Sequence, residues 1–151
     1  MEKVELFYKL ATEYVSFLRN NEISYESIDY LISILMKLYI TALELPNIEP
    51  DSEDIDYESN KLRINIRIHP KLETMYWQIF DPFNDEDRNN PCCGSLYDDF
   101  QSIAEDIHDG INEYVIGRVG NAVFEWHFGV ISHWGDHTVN AIRALHALRM
   151  H

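Results

Sequence analysis

Basic side chains are scarce in this chain. Lys and Arg number 12 against 26 Asp and Glu, a formal charge of −14 over 151 residues. That shortage argues against general binding to a phosphate backbone, which needs cations to displace condensed counterions, so no direct nucleic-acid contact is expected. Cysteine is confined to the adjacent pair Cys92-Cys93 in NNPCCG. Neighbouring thiols form no disulfide framework, and without two further ligands at a recognisable spacing they form no zinc site. The expected compartment is the reducing cytoplasm. No run approaches the length of an apolar membrane span, and no charged segment leads into an apolar one at the start. Neither a transmembrane helix nor a signal peptide is therefore expected. A glycine-rich phosphate cradle after a strand, a serine elbow, an internal repeat and a low-complexity tract are all missing.

What is present is apolar residues at helical spacing. With 46% hydrophobic residues in 151, one domain spanning residues 1–151 has enough chain to bury a substantial core. Met1 to Arg19 carries Val4, Phe7, Tyr8, Ala11, Tyr14, Val15 and Leu18 at three- and four-residue steps and stops at Asn20-Asn21. Ser24 caps a second helix, whose apolar stripe runs from Ile28 to Leu43 and breaks at Leu45-Pro46. Two helices so closely joined are expected to pack as an antiparallel hairpin. Asn47 to Ser59 is an acidic connector, expected to be exposed and mobile with a helical turn near Ser52-Glu53-Asp54.

Lys61 to Ile68, KLRINIRI, alternates apolar and polar residues, the period of a strand. No partner strand is evident elsewhere, and an unpaired edge is costly, which favours a helix here. Pro70 suits the first turn of a further helix, with Leu72, Met75, Tyr76, Ile79 and Phe80 on its inner face and a break at Asp81-Pro82-Phe83. Asn84 to Gly94 reads as a charged loop. Ser95-Leu96-Tyr97-Asp98 then has the form of a capping box opening a helix with Leu96, Phe100, Ile103, Ile107, Ile111 and Tyr114 on one face. Asp99, Asp106 and Glu113, seven apart, run along one edge of that face. The expectation is an all-α bundle of about six helices, in which the last two form a central antiparallel pair.

The last of these, Asn121 to Leu148, differs from the rest. It holds four of the seven histidines and two of the three tryptophans. Residues 1–60 carry 13 acids and 4 bases, residues 61–120 carry 11 and 6, and residues 121–151 carry 2 and 2, so of the three stretches only residues 121–151 are neutral. Read as one helix, it places Trp126, Val130, His133, His137, Ala141, Ala144 and Leu148 in a narrow sector, with a bend allowed at Gly129 and Gly135. Trp126 and Trp134 are expected as core anchors whose indole N–H groups find acceptors, with ligand stacking as the alternative role. His127 is expected as a satisfied core residue, and His146 falls on the opposite side.

His133 and His137 sit four apart on one helical face, the spacing that metal-binding helices use. Trp134 follows His133 where a metalloprotease helix has glutamate, so the pair is not that motif. With Asp99 and Asp106 from the preceding helix, the two histidines would make a set suited to zinc, manganese or iron, able to activate water. The simpler reading, which we take as the default, has the same histidines hydrogen-bonded to those aspartates or to backbone carbonyls, with no cofactor.

DPF at 81–83, SLYDD at 95–99 and SHWGDHTVNAIRALHAL at 132–148 resemble a bacterial domain-of-unknown-function family, number 5063 in its series. Its signature corresponds to His133, Trp134, Gly135, His137, Arg143 and His146, while His127 and Asp136 stand where a basic residue is expected. The resemblance implies an all-α domain and carries no established activity.

Composition and motifs together point to a binding role without catalysis: an acidic cytoplasmic helical protein, an adaptor or an immunity-type partner that neutralises a basic protein. Tyrosines on the first two helices would supply part of the contact face. The candidate binding or polar core residues are Asp99, Asp106, Trp126, His133, Trp134, His137 and Arg143. The alternative is a metal-binding bundle or metal-dependent hydrolase built on His133 and His137.

Overall fold

A computed structural model describes residues 1–51 and 62–151. Five long helices form the body: α1 (Glu2–Asn20), α2 (Ile28–Leu43), α4 (Leu96–Val115), α5 (Val119–Ser132) and α6 (Trp134–Leu148); α3 (Asp85–Asn89) is a short surface turn. The all-α bundle expected from the spacing of apolar residues is the architecture found. Helix α4 lies at its centre, packed against α1, α5 and α6, while α2 closes the bundle against α1 and α6. The periodic residues Val4, Phe7, Ala11, Tyr14, Val15 and Leu18 of α1 are all buried, as are Leu31, Leu35 and Leu38 of α2. Each fully buried large apolar side chain contributes about 1.5–3 kcal/mol relative to its exposed state.

Strand structure was not expected, and the described residues contain two small sheets. Glu22–Ile23 (β1) pairs in parallel with Arg67–Ile68 (β2), and Met75–Gln78 (β3) pairs antiparallel with Cys92–Ser95 (β4). The helix favoured for residues 61–68 is therefore wrong. Ile64 and Ile66 are buried while Arg63, Asn65 and Arg67 are exposed, so burial follows the two-residue period of the sequence. The missing partner is Glu22–Ile23, too short to announce itself as a strand. The helix expected after Pro70 is also wrong. Leu72 is buried, but Met75 and Trp77 are exposed while Tyr76 and Gln78 are half-buried, as alternation along a half-covered strand requires, and Ile79 and Phe80, beyond the strand, are both exposed. Cys92 and Cys93 belong to β4 rather than to a loop, and both are free.

At the other end of the connector, Asp51 docks on the start of α5. Its backbone N–H donates to Asn121 Oδ1 at 2.6 Å, and its carboxylate accepts from Gly120 N at 3.0 Å. The helical turn expected at Ser52-Glu53-Asp54 lies outside the described residues.

The segment read as one helix from Asn121 to Leu148 is two. His133, with φ −149° and ψ −74°, separates α5 from α6. Gly135 makes the junction: a Cβ there would fall 1.8 Å from the carbonyl oxygen of Val130, so only glycine lets the first turn of α6 press against the last turn of α5. Both helices still run back along α4, antiparallel to it.

The candidate seam between α4 and the α5–α6 junction

The two tryptophans fix this seam from inside. Trp126 and Trp134 are fully buried, so neither offers a face on which a ligand could stack. Trp126 Nε1 donates to the Ile107 carbonyl at 3.0 Å, which ties α5 to α4, and Trp134 Nε1 donates to the Trp126 carbonyl at 3.3 Å, which ties α6 to α5. Phe7 of α1 packs on both rings, at 4.8 and 6.1 Å between centroids. With Trp134 locked inward, its neighbours in sequence are set at the seam's outer edge.

That edge brings together the aspartates of α4 and the histidines beyond them. His137 Nδ1 donates to Asp99 Oδ1 at 2.8 Å, and His133 Nδ1 pairs with Asp106 Oδ2 at 2.6 Å. The third acid of the row, Glu113, meets Arg118 at 3.1 Å and Asn121 at 3.2 Å. The seven-residue spacing on α4 thus matches, in reverse order, three positions on the returning chain. The two imidazoles stand edge to face with centroids 5.0 Å apart.

Tyr76 completes the inner pair and was missed as a site residue. From β3 its hydroxyl donates to Asp99 Oδ2 at 2.5 Å. Asp99 is buried, 4% exposed, and accepts from a donor on each oxygen, which is how a buried carboxylate remains tolerable. Gly94 on β4 allows the approach: a Cβ there would lie 2.5 Å from the Tyr76 ring, so the ring crosses the hairpin freely only over glycine. Burial, followed by the bond to Asp99, holds the Tyr76 hydroxyl well above the usual phenol range. His137 is raised from its ordinary value, chiefly by the same carboxylate, with burial opposing. The sequence signal for Tyr76 lay in the alternation Met75-Tyr76-Trp77-Gln78, rich in strand formers and bracketed by prolines.

Chemically, a histidine held by a carboxylate through Nδ1 presents Nε2 outward as a proton acceptor or a metal ligand. Asp99 and Asp106 stand behind the imidazoles rather than beside them, however. Among the described residues no three His, Cys, Asp or Glu side chains converge on a common point for an ion. The four-ligand set of His133, His137, Asp99 and Asp106 is therefore not assembled as a single shell. Of the other candidates, His127 Nδ1 meets the Ala42 carbonyl at 3.0 Å, His146 is exposed on α6, and Arg143 is exposed on α6 beside the hairpin, without an ion pair among the described residues.

No helix among the described residues is long and apolar enough to cross a membrane. In fold the chain is similar to protein BF1032 from Bacteroides fragilis, known as a crystal structure, with a TM-score of 0.68 at 19% identity over 98% of this chain and 95% of that one. At that identity the likeness carries the fold alone. No curated protein matches the sequence. The family model described as "Domain of unknown function (DUF5063)" matches residues 1–151, and the chain belongs to that family.

Proposed function

We propose that this domain is a non-enzymatic binding protein, of the adaptor or immunity type, that docks a basic protein surface on the tip of its β3–β4 hairpin. The observation that carries this reading is the exposure of Phe80 (81%) and Phe83 (96%) where the hairpin closes. Large aromatic rings left in water at a loop tip are the anchors from which protein interfaces draw most of their energy. The tip is shaped rather than loose: Asp81 Oδ1 accepts from Phe83 N at 2.9 Å, and Asn84 Oδ1 accepts from Glu86 N at 2.9 Å. Asp81, Asp85, Glu86 and Asp87 flank the rings in sequence, with Arg88 as the local base. An apolar anchor with an acidic rim matches a partner with an apolar pocket and a basic rim.

The tyrosine face expected on the first two helices is not the contact surface in this reading. Tyr14 is buried, Tyr8 stacks on Tyr114 at 4.2 Å, and Tyr30 donates to Glu13 at 2.9 Å. Of that group only Tyr25, just before α2, is exposed.

Affinity capture from the source cell tests the proposal, comparing the parent with a Phe80→Ser, Phe83→Ser double variant. The expected result is a partner with a basic surface, retained by the parent and lost by a variant that melts like the parent. Retention should also weaken from ~50 to ~300 mM salt as screening shortens the reach of exposed charges. A partner held equally by both proteins and indifferent to salt would remove the hairpin tip and the charge together.

A further inference from the structure

His133 and His137 flank the first turn of α6, and each ring is committed through one nitrogen only. Nδ1 of His137 bonds Asp99, and Nδ1 of His133 bonds Asp106. Neither Nε2 has a hydrogen-bond partner among the described residues, and both side chains are open to water, His133 more than His137. A carboxylate behind Nδ1 keeps the proton on that nitrogen and leaves the Nε2 lone pair free, the arrangement found behind imidazoles that ligate metals. Asp99 and Asp106 lie two turns apart on α4, whereas the histidines are four residues apart. The bonds to the carboxylates therefore splay, and Nε2 is the nitrogen that a shared ion would reach.

The ring separation fits such an ion. Two imidazoles on one tetrahedral zinc, each nitrogen at about 2.0–2.1 Å, have centroids roughly 5 Å apart. The centroids here stand 5.0 Å apart. Asp99, Asp106 and Asp136 all bear on His137, and their charge offsets the positive end of α6 that would oppose a cation.

We propose that His133 and His137 clamp one divalent cation of the zinc class between their Nε2 atoms, with Asp99 and Asp106 orienting the rings from behind. Water fills the remaining positions, because no third ligating side chain converges there among the described residues. Imidazole donors select zinc, copper or nickel over magnesium and calcium, which require oxygen. The carboxylates are positioning groups in this clamp, not ligands. Phe80 and Phe83 take no part in it, so it stands or falls apart from the hairpin tip.

Zinc chloride, titrated calorimetrically into the untagged protein in mildly alkaline buffer, should bind saturably with one ion per chain at this site. His133→Gln and His137→Gln should each abolish that binding as fully as the double variant does, with the melting temperature of His133→Gln held. Asp106→Asn, at a partly exposed position, should weaken zinc by about 10–100-fold, the usual effect of removing the group behind a ligating histidine. Magnesium should not bind. A Cys92→Ser, Cys93→Ser double variant should bind zinc as the parent does, which separates the clamp from the two free thiols. Zinc retained by either histidine variant, zinc lost from the cysteine variant, or equal affinity in the parent and Asp106→Asn would overturn the proposal, as would no saturable binding at millimolar zinc.

Discussion

The two histidine–aspartate pairs of the seam share one chemistry and one spacing, yet their surroundings differ in every other respect. His137 and Asp99 have side chains 29% and 5% exposed, and Tyr76 takes the second carboxylate oxygen. His133 and Asp106 are 56% and 29% exposed, with His133 standing at the break between two helices. The inner pair is part of a three-residue network linking β3, α4 and α6. The outer pair joins two partly hydrated side chains. A hydrogen-bonded pair in water gains little over its hydrated partners, whereas a group orphaned inside must bear its full desolvation cost. Equal distances, 2.8 and 2.6 Å, therefore do not imply equal worth.

The strongest way to disturb both pairs at once is to remove what positions them. Trp134 lies between the histidines in sequence, fully buried, with its indole bonded to the α5 backbone. Trp134→Ala should destabilise the fold by roughly 3–5 kcal/mol, measured by urea unfolding, and Trp126→Ala should do the same. A Trp134→Ala protein as stable as the parent would show that the seam is held from elsewhere.

A smaller effect separates the pairs directly. Asp99→Ala strands the Tyr76 hydroxyl and the His137 N–H and should cost about 1–3 kcal/mol. Asp106→Ala should cost about 0–1 kcal/mol, the range of exposed ion pairs. Equal losses in the two variants would abolish the distinction drawn from burial.

The same contrast governs what was legible in the sequence. The outlines of α1, α2 and α4 followed from apolar spacing, because one face of each is covered by the core and the other by water. The match of Asp99 and Asp106 to the histidines also followed, since two antiparallel helices bring rows of equal pitch together. Tyr76 did not. Its place depends on a hairpin whose second strand, Cys92 to Ser95, is written in small residues with no alternation to read. Ile64 and Ile66 carried the period of a strand from the start. The argument against it failed because the partner of β2 is a two-residue ladder, Glu22–Ile23, hidden behind a helix stop. The break at His133 was marked only by its flanking glycines. Apolar spacing continues through it, since α5 and α6 bury the same side against α4.

The least of the expected effects is the most selective, because it reports on His137 alone. Its pKa in the folded chain lies above the ordinary 6.5, raised first by the hydrogen bond to Asp99, then by the charges of Asp99, Asp106 and Asp136, against the opposing effect of burial. A base that holds its proton more tightly when folded stabilises the fold fully below its unfolded pKa. That contribution is lost as pH rises through the folded value. The parent should therefore lose stability on going up from about pH 6.5 through the raised pKa. His108 works in the opposite sense, since burial and Arg19 lower its pKa and its contribution fades on acidification. The ring resonances of the two histidines, followed by NMR across pH, keep them apart. His137 should titrate above 6.5 in the parent, and Asp99→Asn should lower its midpoint more than Asp106→Asn does, since the bonded carboxylate outweighs the more distant charge. If Asp106→Asn moved His137 as far as Asp99→Asn did, the two pairs would be acting as one cluster, and the inner pair would lose its separate standing.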